Sequence, residues 1–516
     1  MSASRGAEIR AQVQRVRALA REIETAVPMT ATSVDGRTFS YQAPVGTSLV
    51  APGGYVAIDG GAGRVLGQVI TQQLVTREGP EVGLSLDEGL ADGGDALGVK
   101  ARVRLRLVEG DGVILDPDAI PVVDASLAAA TPEEVRTYLE RSAQGRKGLE
   151  IGALALVEGD VPAALLANGF DRHTFLCGQS GSGKTYSLGV VLERLLLETS
   201  LRVVILDPNS DFVRLPETRA GADAALAQRF GAIAPEICVR RVHATSGARL
   251  RVRFGELDEV ARGAILRLDP IADGEEYAEL QEVLGLERVA EAMARLGLNE
   301  TEAAGGREAR ALVRRIRNLG VERWDVWARG EAGRSIRDEL DADDWRVLVV
   351  DLGTLGSPQE KEVVAQSVLG RLWDRRNERR PLLVVVDEAH NVCPRLPETP
   401  LQWLATDYAI RIAAEGRKFG LYLLVSTQRP QKVHENVVSQ CDNLLLMRMN
   451  SAADLEYLAQ VFSFVPPSLV AQATGFRQGE ALVAGKLVGT PTFVRFGTRI
   501  TEEGGSDVPA DWATPA

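Results

Sequence analysis

Between Thr174 and Leu197 the chain sets an apolar run, Thr174-Phe175-Leu176-Cys177, against a glycine-rich turn and then a helical pattern. The turn reads Gly178-Gln179-Ser180-Gly181-Ser182-Gly183-Lys184-Thr185. A strand that passes through such a turn directly into a helix belongs to an α/β sheet, with the turn at the strand's C-terminal edge. The glycines let successive backbone N–H groups converge on phosphate oxygens, and the helix N-terminus adds positive potential. Gly178 to Lys184 would hold the phosphates of a nucleoside triphosphate, with Lys184 reaching the β- and γ-phosphates. Thr185 offers a hydroxyl to Mg2+, and Tyr186 opens the helix beside the bound nucleotide.

Further strands of the same kind follow. Leu201 to Asp207, Val347 to Asp351, Leu382 to Asp387 and Tyr422 to Ser426 are near-continuous apolar runs separated by helical patterns. Such runs imply a parallel sheet buried on both faces. Before this core, residues 31–125 change to short β-rich runs parted by glycine turns, the pattern of a small antiparallel barrel. An amphipathic helix fills residues 1–30, and a linking helix lies within 126–150, announced by Thr131-Pro132-Glu133-Glu134. Residues 257–337 are helical and strongly charged, an insertion that splits the core into 151–256 and 338–500. The polar tail, 501–516, is expected to be flexible.

With 516 residues, 45% of them hydrophobic, the chain has material for several cores. No stretch approaches the ~20 apolar residues of a membrane span, so a soluble, cytoplasmic protein without membrane contact is expected. Cys177, Cys238, Cys393 and Cys441 show no metal-binding spacing and read as reduced core thiols. The net charge of -12 argues against a protein that coats nucleic acid with its whole surface, yet leaves room for a local basic channel. One strand stands out: Val99, Ala101, Val103, Leu105 and Leu107 alternate with Lys100, Arg102, Arg104 and Arg106. Its basic face is either a solvated outer surface or a docking surface for DNA or a protein.

Asp387-Glu388 closes a five-residue apolar strand, where Asp387 can support Mg2+ and Glu388 can act as the base that polarises the attacking water. Gln428, ending the next strand in Ser426-Thr427-Gln428, can sense the γ-phosphate. Asp207 is either a second acidic contact near the metal or the start of an Asp-Pro turn. Arg417, in Glu415-Gly416-Arg417-Lys418-Phe419-Gly420, suits a helix C-terminus on dipole grounds and equally suits an arginine finger at a subunit edge. His173, His243, His390 and His434 do not cluster at ligand spacing. His390 falls two residues after Glu388 and reads as structural.

Taken with their order and spacing, these segments resemble the HerA/FtsK superfamily of P-loop motor ATPases, and HerA-like DNA translocases in particular. The matching residues are Arg172-His173-Thr174-Phe175, Asp207 to Phe212, Val386 to His390, Glu415 to Gly420 and Ser426 to Pro430. The loop Asp207 to Phe212 departs from the Gly-Glu-Tyr ending common at that place. The resemblance implies a RecA-like core with a parallel sheet, an N-terminal HAS-barrel-like domain and the helical insertion. It implies a homohexamer hydrolysing ATP with Mg2+ at its interfaces, moving double-stranded DNA through a central pore. Arg417 would then act in trans, with Glu388 and Gln428 as the other catalytic residues. It also implies a nuclease of NurA-like type, or another effector, on the barrel face, in DNA end processing or anti-phage defence. An ATP-regulated hexameric scaffold that controls a defence effector, with little translocation, is the alternative.

Overall fold

The computed structural model describes residues 2–45, 50–60, 63–85, 98–244, 249–284, 307–328 and 334–505. These fall into two compact units, residues 1–144 with 154–161, and residues 145–153 with 162–516.

The first unit opens with helix α1 (Ser2–Ala26). Seven antiparallel strands follow: β1 (Thr30–Ser33), β2 (Thr38–Pro44), β3 (Tyr55–Asp59), β4 (Arg64–Val69), β5 (Gln73–Ser85), β6 (Gly98–Ile114) and β7 (Val122–Ala129). Their order is β2-β1-β7-β3-β4-β6-β5, and β2 also pairs with β6, so six of the strands form a closed cycle from which the β5–β6 ribbon extends. Alternation in β2 turns Phe39 and Tyr41 inward onto Val56, Ile58, Val69 and Leu127. Helix α2 (Pro132–Ala143) starts where its sequence dictates, with Thr131 and Glu134 forming a reciprocal capping box.

The basic face of β6 meets acids. Arg102 pairs with Glu78, Lys100 lies 3.8 Å from Glu81, and Arg106 lies 3.4 Å from Glu24 of α1. Arg104 stands opposite Glu78 in the β5–β6 register. The face that looks uniformly cationic in sequence is thus largely compensated by its neighbours, which fits a solvated outer surface.

The second unit is built on an eleven-stranded sheet. Its strands are β8 (Gly148–Leu154), β9 (Pro162–Leu166), β10 (Thr174–Cys177), β11 (Arg202–Asp207), β12 (Ile237–Arg240), β13 (Val347–Asp351), β14 (Leu382–Val386), β15 (Leu421–Thr427), β16 (Asn443–Met447), β17 (Glu480–Gly485) and β18 (Thr492–Phe496). The order is β12-β13-β11-β14-β15-β10-β16-β17-β18-β8-β9. The first seven of these run parallel, whereas β17 returns antiparallel to β16, and β18 to β17, so the sheet is mixed rather than wholly parallel. Val203 to Leu206, Val347 to Val350 and Leu383 to Val385 are fully buried, as strands covered on both faces must be. Helix α3 (Lys184–Glu198) and the helix Pro358–Asp374 supply cover.

Of the expected insertion, helices occupy Glu259–Ile265, Gly274–Leu284, Arg307–Leu319 and Ile336–Asp341, while 285–306 and 329–333 lie outside the described residues. The tail differs from expectation at its start. Thr501 is buried and donates through N–H and Oγ1 to Glu193, and the Gly504 N–H donates to the Asp211 carbonyl at 2.9 Å. Residues 501–505 are therefore fixed, and 506–516 lie outside the described residues. Cys177, Cys393 and Cys441 are buried free thiols, whereas Cys238 is half-buried. Burial pushes the Cys393 thiol up to about 12. Among the described residues, no helix is long and apolar enough to cross a membrane.

Candidate active site

β14, β15 and β10 are neighbours in the sheet, so their C-terminal ends discharge Asp387-Glu388, Gln428 and the glycine-rich loop into one crevice. In the loop, Gly181 (φ 72°) and Gly183 (φ 91°) occupy the left-handed region, where a side chain would cost about 1–2 kcal/mol each. No side chain caps α3 at Gly183. Its first-turn N–H groups thus stay available, which suits an anion. Gly181, Lys184, Thr185 and Gln428 border an open cleft of about 600 Å³.

Lys184 is the centre of the arrangement. Its ammonium donates to Asp387 Oδ1 (2.8 Å) and Ser426 Oγ (3.0 Å) and lies 3.1 Å from Glu388 Oε1. Three acceptors match its three N–H bonds. Burial works against the charge, but Asp387 and Glu388 outweigh it and hold the ammonium above its ordinary pKa.

Glu388 has φ 41° and ψ 51°, a left-handed backbone that non-glycine residues adopt at a cost of about 1–3 kcal/mol. Its nearly buried carboxylate accepts from Gln428 Nε2 at 2.8 Å and lies 3.3 Å from His390 Nδ1. His390 Nδ1 is also 3.1 Å from Thr427 Oγ1. Burial lowers the His390 pKa, only partly opposed by Glu388. His390, read from sequence as structural, thus touches the candidate base directly.

Among the described residues no histidine or cysteine cluster could hold a metal ion, but the oxygens here fit Mg2+. Asp387 Oδ2 is fully buried without a hydrogen-bond partner, beside the phosphate loop and on the opposite oxygen from Lys184. Together with the Thr185 hydroxyl it supplies the hard oxygen donors this ion takes. Asp207 does not join them. Its two oxygens accept the N–H groups of Asn209 (3.3 Å), Asp211 (3.0 Å) and Phe212 (2.8 Å), and burial pushes its carboxyl up to about 7. It knots the loop after β11, which decides for the turn. Asp211 is the member of that loop that feels the site: burial and then the Asp387 charge raise its pKa.

Arg417 lies elsewhere. It sits before β15, half-exposed, with Nη1 2.5 Å from Asp442 Oδ2, whereas Gln428 follows the other end of that strand. Seven residues of strand separate the two ends by roughly 20 Å. The described chain therefore does not bring Arg417 to its own cleft. Tyr186 borders the same cleft as Lys184 and Thr185, and its hydroxyl accepts the Arg499 N–H at 2.8 Å. Sequence reasoning missed Ser426 as a Lys184 partner, although it stands in the polar strand end already singled out. It also missed the segment 498–505, whose burial no local pattern announces.

The family described as "Helicase HerA, central domain" matches residues 149–315. The chain is 25% identical to the DNA double-strand break repair helicase HerA of Sulfurisphaera tokodaii, over 89% of this chain and 90% of that one. It is also 25% identical to the protein of the same name in Pyrococcus furiosus, over 80% of each. Among solved structures, VirB4 of Thermoanaerobacter pseudethanolicus is similar with a TM-score of 0.44 and 17% identity, over 69% of this chain and 97% of that one.

Proposed function

We propose that this chain, a HerA-like P-loop ATPase, is a motor that couples ATP hydrolysis to movement along double-stranded DNA. The observation that carries the reading is the Lys184 ammonium held between Asp387 and Glu388, with the Gln428 amide donating to the same Glu388 oxygen. A cation shared by two carboxylates behind a phosphate loop is poised to exchange one of them for a γ-phosphate oxygen. Glu388 would then be released to accept a proton from the attacking water, while the Gln428 amide steadies its carboxylate. Bound through Thr185 and Asp387, Mg2+ would neutralise charge on the β- and γ-oxygens. Ser426 keeps the Lys184 side chain aligned as its partners change.

Arg417 enters this scheme from a neighbouring copy. Its guanidinium is half-exposed and remote from its own cleft, which suits a finger that completes the next subunit's site in a homohexameric ring. We read the closed antiparallel sheet of the first unit as the N-terminal barrel of such proteins, the seat of a nuclease or another effector. DNA in a central pore, and a place in end repair or in defence, follow from the same reading. The test is ATPase turnover with linear duplex DNA, together with displacement of a protein roadblock from that DNA. Stimulation with directional displacement supports the motor; turnover indifferent to DNA and a roadblock left in place favour the ATP-regulated scaffold.

A further inference from the structure

Beyond β18 the chain crosses α3 instead of leaving the sheet. The Arg499 N–H donates to Tyr186, those of Ile500 and Thr501 to Glu193, each at 2.8 Å, and that of Gly504 reaches the Asp211 carbonyl. Arg499 is fully buried, and so is Glu193. The guanidinium fills the space that Gly189 leaves, since a Cβ there would stand 2.5 Å from Arg499 Nε. It lies 3.6 Å from Glu193 and 3.2 Å from each of Thr501 Oγ1, the Glu502 carbonyl and Glu503 Oε1. A buried ion pair is weak evidence for stability, so its value here lies in what it positions.

What it positions is Glu503. This side chain borders the same cleft as Lys184, Thr185 and Gln428, together with Gly497 and Thr498. A carboxylate in a cleft made for a polyphosphate is repelled by the phosphates, so its favourable contact is with another part of the nucleotide. An ionised carboxylate is acceptor-only, and two oxygens match the two hydroxyls of a ribose. The Arg499 guanidinium beside it compensates its charge.

We propose that Glu503 accepts the ribose hydroxyls and makes the site select ribonucleoside over deoxyribonucleoside triphosphates, with the Glu193–Arg499 pair as the clamp that holds it there. The inference rests on the nucleotide-binding reading of the cleft. Its test is the Kd of ATP and of dATP, each with Mg2+, for the full chain and for Glu503→Ala. The wild type is expected to bind ATP about tenfold more tightly, and Glu503→Ala to bring the ratio near one by weakening ATP alone. Glu503→Gln, which keeps the contact with Arg499, is expected to fall between them. A wild-type ratio near one, an unchanged ratio in Glu503→Ala, or equal weakening of both nucleotides overturns the assignment while leaving the nucleotide site standing. A wild type that binds neither nucleotide removes both readings.

Discussion

The two edges of the parallel sheet differ in how completely one chain furnishes them. At the C-terminal edge, Lys184, Asp387, Glu388 and Ser426 form one buried set, which the exposed Gln428 joins through Glu388. At the N-terminal edge, Arg417, Arg172 and Asp442 form a half-exposed ion-pair group above the buried His173. On the proposed reading the first would bind the nucleotide around Lys184, and the second would offer the Arg417 guanidinium to a neighbouring copy. Surface ion pairs contribute about 0–1 kcal/mol, so Arg417 can leave Asp442 at little cost. The contrast teaches that the proposed ring stands or falls on whether one edge reaches the other between neighbouring copies.

The sharpest way to break this comparison is Arg417→Ala. If the finger acts in trans, turnover falls about 10³-fold or more while ATP affinity stays near wild type. Mixing that variant with Glu388→Gln subunits should restore part of the activity; mixtures as inactive as either parent would remove Arg417 from the site. Glu388→Gln, tested in single-turnover hydrolysis, should retain nucleotide binding and lose about 10²–10⁴ in rate. Normal hydrolysis would take the base role from Glu388. Lys184→Ala should weaken ATP binding about 100-fold by equilibrium titration, since it deletes a charge-assisted contact and leaves two buried carboxylates without their cation.

On the opposite edge, His173 accepts the Leu423 N–H at its Nδ1 at 2.9 Å, and burial lowers its pKa to about 4. Its folded value lies below the ordinary 6.5, so the fold binds fewer protons than the unfolded chain. This stability is present above pH 6.5 and is lost as pH falls towards 4, a change of about 3 kcal/mol. Denaturant melts should show that His173→Gln, which keeps an acceptor for Leu423, flattens the curve over that window. An unchanged slope would mean that His173 is not the titrating group. The smallest effect is expected of Gln428→Ala, a loss of about tenfold in turnover with unchanged ATP affinity. A loss as large as that of Glu388→Gln would make Gln428 more than a support for the carboxylate.

The core of the second unit was legible because its signals are local. Apolar runs such as Leu382 to Val386 carry their own burial, and Gly181 and Gly183 carry their own backbone geometry. Asp387 and Glu388 were legible for the same reason, standing at the end of such a run. Asp207 was not, because a carboxylate at a strand end serves a metal or a turn equally well until three N–H groups are seen pointing at it. The cationic face of β6 was left undecided in the same way. Its compensation comes from Glu78, Glu81 and Glu24, two on a paired strand and one on a distant helix.

Sequence alone thus determined the strand-loop-helix unit, the acidic strand end and the α/β alternation, since short-range sterics and hydrophobic periodicity act between neighbours in the chain. Tertiary structure decided which polar ends share a cleft, that Arg417 stands a strand's length away, and that residues 498–505 close over α3. Those outcomes depend on strand order and on buried charges such as Arg499 and Glu193, separated by some 300 residues along the chain, which compensate each other only once the sheet has formed.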